Sequence, residues 1–250
     1  DLTFVPPTGA RARPQVFLPN GQIAGGDSEV ANRLQALDLK RQGALRWEIG
    51  GEDTPADHPL AGAFFLGPPL PLSGMLYCLV EMQGEIRLVA LDARTGNYLW
   101  SQQLAIVEQD ILSDSTRRLA GVTPSYADGV LVCPTSSGAV VAVDLTNRSL
   151  RWGFRYDRSP RRNMDRNAQF RAQLAGQNLN ESQRTGWCDA TATVSEGRVI
   201  ITPMESDELF CVRLVDGELL WKLDRQDGLY VAGVHDGQVI VVGRGSVKAW

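Results

Sequence analysis

Short runs of aliphatic and β-branched residues recur along the chain, and a turn carrying glycine, aspartate or a polar cluster ends each one. Asp128-Gly129 opens Val130–Cys133, and a second run follows at Gly138–Ala142. Glu196-Gly197 opens Arg198–Ile201, followed by Glu208–Cys211. Asp236-Gly237 opens Gln238–Val242, followed by Gly245–Lys248, and Gly74 opens the run to Val80, followed by Glu85–Val89. Strand-length apolar runs joined by short polar or glycine turns predict β-hairpins. Shorter strands are expected ahead of them, at Gly121–Ala127, Ala190–Ser195 and Leu229–Val234. The one stretch with helical spacing is Asp165–Ala175, where Phe170 and Leu174 lie four apart and Gly176 follows as a stop.

Each hairpin leads into a recurring cassette. Its fullest copy has Ala90, Asp92, Thr95, Gly96 and Trp100. An earlier copy has Ala36, Asp38, Gly43, Leu45 and Trp47, with one extra residue. A third has Ala142, Asp144, Leu150 and Trp152; a fourth has Cys211, Gly217, Leu219 and Trp221. Arg148 stands in the turn-glycine place of the third copy and Arg213 in the aspartate place of the fourth. A fifth starts at Val247, with Trp250 in the place of Leu91. Because the chain then stops inside a strand, it reads as part of a longer protein. Four short strands per unit, repeated, indicate propeller blades. Blade units are expected near 20–47, 62–100, 120–152, 187–221 and 229–250, within one propeller segment spanning 1–250 and interrupted by an insert at 153–186.

The cassette residues have physical roles in such a unit. Glycine tolerates the positive φ of a tight turn, and the aspartate carboxylate can accept backbone N–H groups from the residues after it. A repeated alanine implies a site too tight for anything larger. An indole buries about 150–250 Å² and can seal one blade against the next.

This spacing resembles the repeat of the pyrroloquinoline-quinone (PQQ) propeller family, also called the tryptophan-docking motif, and the likeness covers nearly the whole chain. It implies an all-β propeller of four-stranded antiparallel blades, with four to five visible of a seven- or eight-bladed ring. The family includes quinoprotein alcohol dehydrogenases, which hold PQQ and calcium on the propeller axis. It also includes a bacterial lipoprotein of outer-membrane β-barrel assembly, which uses a similar ring to bind partners. The resemblance therefore implies a periplasmic, extracellular or cell-envelope location, and leaves catalysis to be argued from side chains.

Composition narrows that choice. A net charge of −4 gives no sign of a nucleic-acid partner. No apolar stretch approaches the roughly 18–20 residues of a membrane-spanning helix. Cys78, Cys133, Cys188 and Cys211 form neither zinc-ligand spacings nor the adjacent cysteine pair that the dehydrogenases of this family present to the quinone ring. Cys78 and Cys133 occupy a strand position where later repeats have Ile201 and Val241, so they read as buried apolar residues. His58 and His235 are isolated in loops, and Asp189, after Trp187-Cys188, is the nearest approach to a cluster; it reads as a loop anchor. No nucleophile elbow, P-loop or HExxH pattern is present. The expectation is a non-catalytic module that binds or scaffolds, with no cofactor in this segment. The alternative is a segment of a PQQ- and calcium-dependent dehydrogenase whose site lies in other blades.

One irregular feature points to a surface. The insert carries seven arginines against Asp157, Asp165 and Glu181, an excess of four positive charges. Long insertions in repeat folds gather on one face, often the binding face. Arg155, Arg158, Arg161, Arg162 and Arg166 are therefore candidates to meet a protein or an anionic ligand on the propeller face. Solvation beside neighbouring carboxylates is the plainer reading of the same charges. A weaker insertion, Ala105–Ala120, carries Arg117 and Arg118.

Overall fold

The computed structural model describes residues 2–5, 16–17, 23–24, 32–51, 54–159 and 186–250. The expected helix at 165–175 lies outside them. The chain forms two compact units, Asp1–Leu119 and Ala120–Trp250.

In the first unit β1 (Leu2–Val5), β4 (Arg33–Asp38) and β5 (Ala44–Gly50) make one sheet in the order β1-β4-β5. Its third strand thus comes from upstream of the stretch 20–47. Between them lies the small hairpin of β2 (Val16–Phe17) and β3 (Ile23–Ala24). The second sheet runs β10-β9-β8-β6 and contains β6 (Phe64–Phe65), β8 (Met75–Met82), β9 (Glu85–Asp92) and β10 (Tyr98–Ile106). A further strand, β7 (Leu70–Leu72), pairs with the same edge of β8, so the Gly67-Pro68-Pro69 stretch interrupts a single inner strand. Proline is tolerated there because an edge strand does not need every N–H.

In the second unit β11 (Ser125–Ala127), β12 (Val130–Pro134), β13 (Ala139–Asp144) and β14 (Ser149–Arg155) form one four-stranded sheet. A second contains β15 (Thr193–Ser195), β16 (Arg198–Ile201), β17 (Glu208–Arg213) and β18 (Leu219–Asp224). The last has β19 (Gly228–His235), β20 (Gln238–Gly243) and β21 (Val247–Ala249). Every pairing is antiparallel between neighbours in space, the up-and-down pattern of a propeller blade.

Alternation of side chains explains the apolar runs. Val199 and Ile201 of β16, with Phe210 and Val212 of β17, pack against Val130, Val132 and Val140 of the preceding sheet. Ile200, Leu209 and Cys211 point the opposite way, onto Val239 and Val241 of the following one. A strand buried on both faces has no polar side, so its sequence reads as continuous Val, Ile and Leu.

A bulge recurs in four outer strands. Ala36 lies opposite Trp47 but Leu37 opposite Leu45, leaving Arg46 as the extra residue. The same shift leaves Leu99 extra before Trp100, Arg151 before Trp152 and Leu220 before Trp221. The bulge sets each indole directly across from the small residue of its repeat: Ala36, Ala90, Ala142 or Cys211. Ala36, Ala90, Ala142 and Cys211 are all 0% exposed, so a larger side chain would have nowhere to go.

Candidate binding face

The cassette turns are built alike although their side chains differ. In the second copy Asp92 Oδ1 accepts the backbone N–H groups of Arg94 (3.0 Å) and Thr95 (2.8 Å) and the Thr95 hydroxyl (2.8 Å). Those bonds, Thr95 foremost, hold its carboxyl below the usual carboxylate range. In the fourth copy Arg213 replaces the aspartate, and its guanidinium reaches Asp216 (2.8 Å) and Glu218. The same i,i+3 positions are thus bridged again, with the guanidinium at the first and a carboxylate at the second in place of the carboxylate and hydroxyl of Asp92 and Thr95. The backbone is unchanged: Gly96 N–H donates to Asp92 O and Gly217 N–H to Arg213 O, each at 2.8 Å. In the third copy Asp144 Oδ1 accepts the Thr146 N–H at 2.8 Å, and Arg148 adopts the positive φ (55°) that glycine supplies elsewhere.

The residue after each aspartate position links two directions. Ala93, Leu145 and Leu214 donate their N–H to the turn glycine of their own sheet, Gly74, Gly129 or Gly197, at 2.9–3.0 Å. The Ala93 carbonyl takes the Trp47 indole N–H of the preceding sheet (3.3 Å), and the Leu214 carbonyl takes that of Trp152 (2.8 Å). Beside these bonds the rings lie flat on Gly96 and Gly217: a Cβ at either glycine would stand 2.7 Å from ring carbon. Arg151, the bulged neighbour of Trp152, adds a bond from Nε to Val215 O at 2.8 Å. Trp100 meets Tyr77 edge-on at 6.1 Å, and Trp221 packs on the cluster around Trp187. The turn residues Asp38 and Gly43 close the first copy through Lys40 N–H to Asp38 Oδ1 (2.9 Å) and Gly43 N–H to Asp38 O (2.9 Å).

In an up-and-down sheet alternate loops gather at alternate ends. The cassette turns lie at one end of the second unit; the β12–β13 and β16–β17 loops and the exit of the insert lie at the other. There the stem of the insert is tied down. Tyr156 N–H donates to Gly138 O (3.1 Å), its hydroxyl donates to Glu205 Oε1 (2.6 Å), and Ser159 N–H donates to Glu205 O (2.8 Å). Ser159 Oγ donates to Asp207 (3.1 Å). Glu205 is buried, and burial followed by its negative charge pushes the Tyr156 phenol well above its ordinary pKa. Tyr156 also leans on Phe210 at 5.7 Å. Where the insert returns, buried Trp187 donates its indole N–H to Glu208 O (3.0 Å) and Cys188 N–H bonds Leu229 O (2.7 Å). Asp189 caps the N–H of Thr191 at 2.8 Å.

Of the candidate arginines, Arg155 and Arg158 are exposed at this stem, with the Arg158 chain passing beside Gly138. Arg161, Arg162 and Arg166 lie outside the described residues. Arg117, from the weaker insertion, turns inward instead. It is 2% exposed and reaches Glu81 (2.6 Å) and Asp114 (2.7 Å). Asn32 carries no motif that marks it, yet its buried amide pairs with both backbone groups of Phe65, at 2.7 and 2.8 Å.

The described residues do not fit a calcium–quinone site. No three His, Cys, Asp or Glu side chains among them converge to hold a metal ion. Cys78, Cys133 and Cys211 are buried free thiols, and burial pushes the first two far above the usual thiol range. In the hollow bounded by Trp187, Asp224, Arg225, Asp227, Ser246 and Lys248, Lys248 pairs with Asp227 at 2.6 Å and Arg225 with Asp207 at 3.2 Å, while Asp224 accepts the Gln226 N–H at 2.7 Å.

Face-packed antiparallel blades with this cassette define a propeller of PQQ-like repeats. The chain belongs to the family described as outer membrane protein assembly factor BamB, which matches residues 31–183. Among solved structures it is similar to BamB from Moraxella catarrhalis, at 17% identity over 94% of this chain and 82% of that one, with a TM-score of 0.40. A europium-containing methanol dehydrogenase matches at 18% identity over 87% of this chain and 43% of that one, with a TM-score of 0.43. The computationally designed Ika4 protein matches at 12% identity over 73% of this chain and 88% of that one, also with a TM-score of 0.43. No curated protein matches the chain.

Proposed function

We propose that the chain is a non-catalytic propeller module of the bacterial cell envelope, periplasmic or extracellular, that binds a protein or an anionic ligand. In this reading the indole, the small residue and the glycine of each cassette seal blade to blade, and the insert-bearing end of the second unit is the binding face. One observation carries it. Arg155 and Arg158 stand exposed on a stem fixed by Tyr156, Ser159 and Glu205. A rigid stem presenting guanidinium groups suits carboxylate or phosphate recognition. The family name, an assembly factor of the outer membrane, supports a protein partner.

The test uses the full-length protein in cells lacking the wild-type copy. Arg155→Glu with Arg158→Glu is expected to lower the amount of folded outer-membrane β-barrel protein, read by heat-modifiable mobility. The variant itself should keep its level and its melting temperature. Full complementation by the charge-reversed protein would overturn the proposal.

A further inference from the structure

The segment that follows β10 in the first unit has the construction of a presented surface. Its inner side is fixed. Val107 N–H donates to Gly84 O (2.9 Å), and buried Ile111 sends its amide to the Glu81 carboxylate. Arg117 then ties the return, bonding Glu81, Asp114 and the Gln109 carbonyl from a position 2% exposed. Glu81 and Asp114 are themselves only 5% and 8% exposed. Burying three ionised groups is costly in desolvation, and hydrophobic residues would hold a loop at least as well. What the triad supplies is a fixed geometry.

The segment's exposed side chains are apolar and acidic. Ile106 is 75% exposed, Leu112 45% and Leu119 71%. Between the first two stand Glu108 and Asp110, both exposed, and no ion pair engages either among the described residues. The segment's remaining cation is Arg118, half-buried, so the acidic groups dominate the exposed side. Aliphatic side chains held in water on a rigid segment mark an interaction surface rather than a solvated loop.

Charge selects the occupant. An anionic lipid surface would repel Glu108 and Asp110, and a second copy of the chain would set carboxylate against carboxylate. We infer that residues 106–119 dock a basic amphipathic segment of another protein, whose aliphatic side chains cover Ile106, Leu112 and Leu119 while its lysines or arginines meet Glu108 and Asp110. This deepens the binding reading above and relies on it only for a protein partner.

The test measures fluorescence anisotropy of the full chain with an 18-residue Lys/Leu amphipathic peptide and with its Glu/Leu counterpart. The Lys/Leu peptide is expected to bind, and Leu112→Ser with Leu119→Ser to weaken it at least about tenfold, since two leucines lose their burial. Glu108→Gln with Asp110→Asn should weaken it and flatten its salt dependence. Leu45→Ser, at an exposed leucine elsewhere in the unit, should change nothing. These positions are exposed, so circular dichroism should stay as in the wild type. Equal binding by the Leu112/Leu119 variant, an equal loss with Leu45→Ser, or equal binding of the Glu/Leu peptide would overturn the inference. The charge-reversal experiment in cells would stand apart from that result, because it alters the other unit.

Discussion

Gly217→Ala isolates the contact that joins one sheet to the next. Gly217 and Gly197 both turn with positive φ, 74° and 71°. An added methyl at Gly197 meets nothing within 4 Å, whereas at Gly217 it would stand 2.7 Å from two carbons of the Trp152 ring. The backbone cost of placing alanine in this region is common to both and is about 1–2 kcal/mol. Only Gly217 adds an overlap of about 1 Å against ordinary carbon contact. The ring cannot retreat freely, because Ala142 lies opposite it and its N–H is bonded to Leu214 O at 2.8 Å. Overpacking a fixed site costs about 1–3 kcal/mol, so Gly217→Ala should lose about 2–5 kcal/mol and Gly197→Ala about 1–2 kcal/mol. Urea unfolding followed by tryptophan fluorescence gives both values. Repeating Gly217→Ala in a Trp152→Val background should leave only the backbone cost, a coupling of about 2 kcal/mol. Equal losses at the two glycines, or no coupling to Trp152, would refute the packing argument.

Removing Arg117 alone from the buried triad should cost more than removing it together with the Glu81 charge. Arg117→Met strands Glu81 and Asp114 and is expected to cost about 3–5 kcal/mol, while Arg117→Met with Glu81→Gln recovers part of that loss; no recovery in urea unfolding would contradict a stranded Glu81. Asp227, bonded by Lys248 (2.6 Å) and Ser246 (2.8 Å), has its carboxyl lowered from 3.8 to about 2. A carboxyl lowered by folding supports the fold fully above its unfolded pKa and loses that support as pH falls through about 4 to 2. Carbon-detected NMR titration should place its midpoint near 2, returning toward 3.8 in Lys248→Met; a wild-type midpoint at the ordinary value would show that the ammonium contact does not form.

The legible parts of the fold were those written locally. A two-residue turn such as Asp128-Gly129 fixes its hairpin from within ten residues, and both halves appear in the sequence. The cassette was equally plain because alanine, aspartate, glycine and tryptophan recur together. Less visible was why the alanine is small: a bulge before each tryptophan brings the indole opposite it, and a one-residue shift leaves no compositional mark. Strand Leu2–Val5 pairs with Arg33–Asp38 across a gap too long for any turn signal. Arg213 departs from the aspartate of the repeat, yet its guanidinium reaches Asp216 three residues on and the turn is preserved. Arginine count alone could not separate Arg117 from Arg158. Their difference rests on Glu81, a carboxylate 36 residues away that one of them reaches.

Catalysis offers the sharpest contrast with binding. The full-length protein, loaded with PQQ and calcium, should show no dye-linked oxidation of alcohols above a cofactor-only control. Sustained turnover that requires the protein would contradict a non-catalytic module.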